Sequence, residues 1–337
     1  MKVYTIRDIA RLAGVSVTTV SRVLNHRPDV NPETRRQVEQ IIQENHFVGN
    51  SNARCLKQNS EVIAVVVRGR SNPFLSSLAE AILDRASSLQ DSFITEYIDE
   101  KDDEFLTALR ITRQHTVRGL IFVGSLIDER VHVIRDLEIP MVFTTVSAEA
   151  TALRRASSVA VDDRGMGRQI GEELLSLGHR RIAVFGSNPV AGDSLAMRFQ
   201  GFCEAYKERG LSYHSEDFRE TRFSYDAGYE TARAFFSENP EVTALFAMSD
   251  TVAVGAIRAL NDLGRRVPED ISVVGFDGID ISRYTVPRLT TVEQPVDEIA
   301  RRSVNILLDM MENNASPRHM LVSAEFRKRE SVSRVRE

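Results

Sequence analysis

The stretch TIRDIARLAGVSVTTVSRVLN, Thr5 to Asn25, reads as two short helices joined by a glycine turn. Thr5 stands at an N-cap position with Asp8 three residues on, the spacing of a capping box. Ile6, Ile9, Ala10 and Ala13 follow at helical spacing and give one apolar face. Gly14 ends that helix, because glycine takes the left-handed conformation without a steric penalty. Ser16 then caps a second helix, with Val20, Val23 and Leu24 turned inward and Val17, Thr18, Ser21, Arg22 and Asn25 turned out. A third helix opens at NPET, with Asn31 as cap and Pro32 at the first helical position, where its missing N–H costs little. Val38, Ile41 and Ile42 supply its buried stripe. Two short helices about a glycine-containing turn, braced by a third, make a helix-turn-helix.

In that geometry the second helix enters the DNA major groove and its N-terminal residues meet base edges. Val17, Thr18 and Arg22 are therefore the expected base readers. A guanidinium offers a fork to guanine O6 and N7, and valine suits a thymine methyl. Thr5, Ser16, Thr19, Ser21 and Asn25 are placed for phosphates, which position the head without specifying sequence. The competing reading is a three-helix protein-interaction module. Charge favours DNA: residues 1–59 hold nine basic and five acidic side chains, a local +4, so the rest carries −9 of the total −5. A basic head on an acidic body suits a chain of which one module touches phosphates.

The 337 residues suffice for two or three cores, and 42% hydrophobic with 27% charged content fits a soluble globular protein. Apolar runs such as VIAVVV and GLIFVG stop well short of a membrane span, and the charged N-terminus does not read as a signal peptide. Cys55 and Cys203 lie far apart without metal-type spacing, so the expectation is reduced thiols in the cytoplasm and no metal or cofactor.

From residue 61 onward, short β-branched runs alternate with helical patterns. VIAVVV, SFITEYI, GLIFVG, PMVFTTV, SVAVD, RIAVFG, FRETRF, ALFAM, SVVGF, TTVEQ and LVSAEF read as strands. This is the signature of βαβ units and parallel sheets, and the strands are too many for one tidy sheet. The expected fold class is α/β, with the helical head followed by two doubly wound lobes dividing near Asp162–Asp163.

Ligands of open α/β sheets bind beyond the carboxyl ends of the strands. The residues following each strand give a candidate cleft: Phe74, Ser125, Thr145, Asp162, Asp193 leading to Arg198, Phe223, Ser249 with Asp250, Asp277, and Gln294. Carboxylates, an arginine, amides and aromatic faces between two lobes suit a small polar ligand such as a sugar. Arg198 is the strongest choice, as a bidentate donor to hydroxyls or a carboxylate. Phe74 and Phe223 have core packing as their alternative, and Asp250 is expected to cap the helix TVAVGAIRAL as well. The run DDRGMGRQIGEELL after a strand has the spacing G-x-G-x-x-x-G, one residue too long for a pyrophosphate fingerprint, and reads as close helix–sheet packing. No P-loop, H-E-x-x-H or C-x-x-C motif occurs. An enzyme reading would rest on fold alone, and a free sugar-binding carrier should have an export signal and no basic head, the reverse of this chain.

The segments TIRDIARLAGVSVTTVSRVLN, NPETRRQVEQIIQENHF, NARCLK, SDTVAVGAIRAL and DISVVGFDGID, in that order, resemble the LacI/GalR family of bacterial transcription regulators. The resemblance spans nearly the whole chain. It implies a repressor controlled allosterically by a small effector, a homodimer on a pseudo-palindromic operator, and a first lobe that reclaims the chain after TTVEQP. The implied domains are a head at 1–48, a hinge at 49–60, a first lobe at 61–161 and 292–325, a second lobe at 162–291, and a tail at 326–337. Positions matching Phe74, Arg198, Phe223, Asp250 and Asp277 line the family's effector pocket, and GHRRI is structural there. Two departures bear on the ligand: TTVSAE lacks the Asp, often followed by Arg, of many sugar-responsive relatives, and Ser249 stands where a relative has Asn. No leucine heptads follow FRKRESVSRVRE, so a dimer rather than a tetramer is expected.

The segment between head and body, FVGNSNARCLKQNS, is too short and polar for a stable isolated helix. Ala53 and Leu56 stand one helical turn apart on a face that gains a partner only when two copies meet in a minor groove. An apolar side chain there wedges between base steps, and the family's hinge helix does so with the leucine matching Leu56. Asn50, Arg54 and Lys57 would flank it. Gly49 replaces the proline of most relatives and raises the entropic cost of ordering this hinge.

Overall fold

The computed structural model describes residues 10–24, 31–44, 61–86, 92–187 and 193–335, and the chain divides into two units, 1–60 and 61–337. In the head, helix α1 (Val17–Leu24) and helix α2 (Pro32–Glu44) follow the described end of a first helix. Gly14 has φ +64°, and the turn is closed by Val15 N–H donating to Ala10 O at 3.0 Å. Ala10, Ala13, Val20, Val23 and Val38 form the small core, and Gln37 Nε2 donates to Ala13 O at 3.3 Å, tying α2 to the turn. Asn31 Oδ1 accepts from Glu33 N at 2.8 Å, the cap read from the sequence.

The body holds two six-stranded sheets. The first contains β1 (Val62–Arg68), β2 (Ser92–Ile98), β3 (Val117–Val123), β4 (Met141–Thr144) and β5 (Ala156–Val161). The second contains β6 (Ile182–Gly186), β7 (Phe218–Glu220), β8 (Ala244–Ala247), β9 (Ser272–Asp277) and β10 (Thr290–Glu293). A last pair, β11 (His319–Val322) and β12 (Glu325–Arg327), adds one strand to each sheet. The orders are β11-β5-β4-β3-β1-β2 and β12-β10-β9-β8-β6-β7, parallel throughout except for the antiparallel β10–β12 pair. β1 is buried on both faces over Val62–Val67, which is why it reads as an unbroken apolar run rather than an alternation.

Helices α3 (Pro73–Ala86) and α4 (Glu104–Gln114) belong to the first lobe; α5 (Asp163–Ser176), α6 (Ser194–Glu208), α7 (Tyr225–Glu238) and α8 (Asp250–Asp262) to the second. Helix α9 (Val296–Glu312) returns to pack beside α3 and β3–β5. The chain therefore crosses between lobes after β5, after β10 and after β11.

Two expectations need correction. β10 belongs to the second sheet, so the return lies after Glu293 rather than at 292. Residues 326–335 are not a separate tail: β12 pairs with β10, Val273 N–H donates to Ser331 O at 2.8 Å, and Ser331 Oγ donates to Val273 O at 2.6 Å. Backbone pairing decides both, and nothing in the local pattern of TTVEQ or LVSAEF names the sheet it joins. The glycines of DDRGMGRQIGEELL also serve another contact. A Cβ on Gly167 would sit 2.0 Å from Arg198 O, and one on Gly171 would sit 2.7 Å from Ala205 Cβ, so the close packing is of helix α5 on helix α6 rather than on the sheet. Gly201 answers from α6, its absent Cβ falling 1.9 Å from Arg164 O.

Candidate functional site

The strand ends of the two sheets face each other across one cleft. Its first-lobe wall includes Phe74, Ser125 and Thr145, and its second-lobe wall includes Asp193, Arg198, Phe223, Ser249 and Asp277, all anticipated from the sequence. Phe74 serves both readings offered for it: it is 4% exposed, belongs to the main core cluster and still lines the cleft.

Arg198 is the organising residue. It is 5% exposed on α6, where the glycine crossing brings its backbone against α5. Its Nε donates to Asp163 Oδ1 at 2.7 Å, its Nη1 donates to Met248 O at 2.9 Å, and its guanidinium carbon lies 3.6 Å from the centroid of the Phe276 ring. With those nitrogens engaged, Nη2 is the donor left for a ligand. Asp163 was not anticipated, although its neighbour Asp162 was. Asp162 instead caps α5, accepting from Gly165 N at 2.9 Å, and does not line this cleft. A one-residue step at a helix start reverses which carboxylate faces the partner helix.

Asp250 and Gln294 are the other corrections. Ser249, not Asp250, caps α8, accepting from Val252 N at 3.4 Å. The Asp250 carboxylate is fully buried in the second lobe and accepts from Gly278 N, Ile279 N and Thr291 Oγ1 at 2.8, 2.9 and 2.6 Å. Burial, with Asp277 nearby, holds its pKa well above the carboxylate range. It fixes the loop after β9 rather than meeting a ligand. Gln294 acts one step back too, donating from Nε2 to Asp277 Oδ1 at 2.9 Å.

Among the described residues, three non-glycine residues have positive φ, and two of them, Thr145 (φ 74°) and Asp277 (φ 116°), line the cleft. A β-branched residue in the left-handed region is strained, and such strain gathers where a ligand is met. The strand-end rule missed Arg68, Asn72 and Glu100, which also line the first-lobe wall. Arg68 directly follows VIAVVV, and Glu100 follows SFITEYI after Asp99, as read from the sequence, so the signal was present there; β1 itself extends through Arg68. At the rim, Arg222 of the second lobe reaches Asp99 at 2.8 Å and Glu100 at 3.5 Å in the first, an exposed bridge across the mouth.

Burial raises Asp277 to a pKa of about 7 and Asp163 to about 6, against the opposing pull of Arg198 on each. A carboxyl that holds its proton more tightly when folded contributes stability at low pH, and that contribution is lost as pH rises through the folded pKa. For Asp277 alone the loss between pH 6 and pH 8 is on the order of 1 kcal/mol. Asp277→Asn is expected to flatten this difference in chemical-denaturation curves at the two pH values. Equal pH sensitivity in wild type and variant would contradict the assignment.

His179 of the GHRRI stretch is buried, with Nδ1 2.9 Å from Thr243 Oγ1 and Nε2 3.0 Å from Ser333 O. Burial lowers its pKa, and it joins β6, β8 and the chain end rather than the cleft.

In the head, α1 exposes Val17 (41%) and Arg22, while Val20 and Val23 are buried, the division expected of a recognition helix. Ser16 Oγ accepts from Thr19 N at 3.1 Å, capping α1, and lies 2.9 Å from Thr19 Oγ1. Thr18 and Ser21 fall within α1. Thr5, Asn25 and the hinge residues Asn50, Ala53, Arg54, Leu56 and Lys57 lie outside the described residues. No helix among the described residues is long and apolar enough to cross a membrane, and they contain no cluster of potential metal ligands.

Known proteins share both parts. Residues 5–50 match the model of the bacterial regulatory proteins of the lacI family, and residues 171–332 match a periplasmic binding protein-like domain. The HTH-type transcriptional regulator MalR of Clostridium butyricum is 32% identical over 333 residues, covering 97% of this chain and 98% of that one. A solved complex of the transcriptional regulator CelR with cellobiose superposes with a TM-score of 0.71 at 28% identity, covering 97% of this chain and 99% of that one. The lac repressor dimer bound to operator and the anti-inducer ONPF gives a TM-score of 0.71 at 28% identity, over 98% and 100% of the two chains. A helix-turn-helix head, two parallel-sheet lobes about a polar cleft and this likeness over nearly the full length place the chain in the lacI family of bacterial regulatory proteins, as a DNA-binding transcriptional regulator.

Proposed function

We propose that the protein is a cytoplasmic repressor that binds a pseudo-palindromic operator as a homodimer and is released from it by a carbohydrate-like effector held in the cleft. The observation that carries this reading is a cavity walled by strand ends of both lobes, with a buried arginine on one side and strained polar residues on each. A ligand touching both walls changes the free energy of the lobe arrangement. Typical allosteric couplings are about 1–3 kcal/mol and act reciprocally on DNA and effector. The cellobiose of the CelR complex supports a carbohydrate. An enzyme or a free carrier on this fold is disfavoured by the head and by relatives that are transcriptional regulators.

Val17, Thr18 and Arg22 read bases in this proposal, with Thr5, Ser16, Thr19, Ser21 and Asn25 toward phosphates. Asn50, Ala53, Arg54, Leu56 and Lys57 form a minor-groove hinge with Leu56 as its wedge. A mobility-shift assay on the DNA upstream of its own operon, with and without sugars, tests the whole. Absence of DNA binding under every condition defeats it. In the same assay Arg22→Ala is expected to relax selection at one base pair per half-site, a loss of about 1–3 kcal/mol of discrimination. Leu56→Ala is expected to reduce operator affinity and bending together, and unchanged bending removes the wedge.

A further inference from the structure

The first-lobe wall of the cleft carries two donors without a full hydrogen bond: Arg68 Nε at the end of β1, which is ion-paired to Glu104, and Ser125 Oγ just after β3. Arg68 lines the cleft with its side chain 18% exposed. One of its terminal nitrogens, Nη2, donates to Glu100 O, which pins the guanidinium. Its Nε lies 3.5 Å from Glu104 Oε2, and neither atom has a hydrogen-bond partner. The other Glu104 oxygen accepts from Leu126 N at 2.9 Å. Ser125, 8% exposed and on the same wall, has a buried hydroxyl with no partner. Buried polar atoms are nearly always paired, so such a pair on one wall marks where the acceptors of a ligand belong.

We infer that the effector is an acidic molecule of sugar size, with its carboxylate or phosphate group seated on Arg68 and Ser125 and its hydroxylated end on the second lobe. The inference rests on the reading of the cleft as the effector site. Three further features support it. Burial works against the charged form of Glu104, the acid that faces Arg68 Nε at 3.5 Å. The fourteen-residue α3 begins beside Arg68, with Asn72 and Phe74 on the wall, so its positive end is directed there. The acids around the cleft are already engaged: Asp163 with Arg198, Asp193 with Ala196 N, Asp277 with Gln294, and Glu100 with Arg222 across the rim. On the far wall the remaining nitrogen of Arg198 and the ring of Phe223 suit hydroxyls and a sugar face.

The test is isothermal titration calorimetry on the full-length protein with matched probes: D-glucose, D-glucuronate and D-glucose 6-phosphate; D-galactose and D-galacturonate; D-ribose and D-ribose 5-phosphate. At least one acid is expected to bind about tenfold or more tightly than its neutral counterpart, and the carboxylate and phosphate arms decide between the two groups. Arg68→Gln is expected to abolish the preference. Because that variant strands Glu104 in the interior, Arg68→Gln/Glu104→Gln removes both charges and checks the result in a protein whose thermal melt stays cooperative. A neutral sugar binding as tightly as its acid, or an acid preference that survives in the double variant, overturns the inference and leaves the effector cleft standing. Absence of binding by every probe, neutral or acidic, overturns both.

Discussion

Arg198→Leu is expected to lower the stability of the body by about 3–5 kcal/mol and to abolish its response to effector, because it strands a buried carboxylate. Asp163 and Arg198 are both about 95% buried and joined at 2.7 Å, and the guanidinium also holds Met248 O and covers Phe276. The loss is expected to shrink toward pH 5, where the unpaired Asp163 takes up a proton. Urea titrations at pH 5 and pH 8 measure this. Arg198→Leu/Asp163→Leu separates structure from function: replacing both members of a buried pair by apolar groups is often neutral in stability, so folding should recover while effector binding stays lost. If the double variant still bound effector, the arginine would be scaffold only.

The second large effect is expected at the crossing of α5 and α6. Gly201→Ala places a methyl group where the Arg164 carbonyl oxygen now lies, at a built distance of 1.9 Å. A flexible side chain would yield, but a helix backbone does not, so the two helices must separate. Alanine regains about 1 kcal/mol of helix propensity over glycine, yet the net loss is expected near the upper end of the usual overpacking range, about 3 kcal/mol. The same separation draws Arg198 away from Asp163, so effector affinity should fall with stability. A thermal melt and a titration on one sample check both. A variant as stable as wild type would show that the crossing has slack.

The parts of the molecule that sequence made legible are those governed by short-range rules. Gly14 at positive φ, Asn31 capping α2 and the inward Val20, Val23 and Val38 follow from caps and helical period alone. The cleft wall was legible wherever a residue's position depends only on following a parallel strand, as for Ser125, Thr145, Asp193 and Asp277. It failed where a side chain's direction depends on a distant partner. Asp250 looks like a cleft residue until Gly278, Ile279 and Thr291, contributed by a loop and a strand much later in the chain, surround its carboxylate. Asp163 looks like an ordinary first-turn acid until the glycine crossing delivers Arg198 to it.

The sequence by itself determined the helix-turn-helix, the parallel α/β class, the polarity of the cleft and the family, because each is written in local periodicity, turn chemistry or ordered motifs. Tertiary structure alone decided which sheet receives β10, β11 and β12, that the chain end is stitched into the second lobe, and which carboxylates line the cleft. Those outcomes are set by backbone pairing and by desolvation between segments up to about a hundred and sixty residues apart, as in the Ser158–His319 contact, and no local pattern encodes which distant partner completes a buried charge.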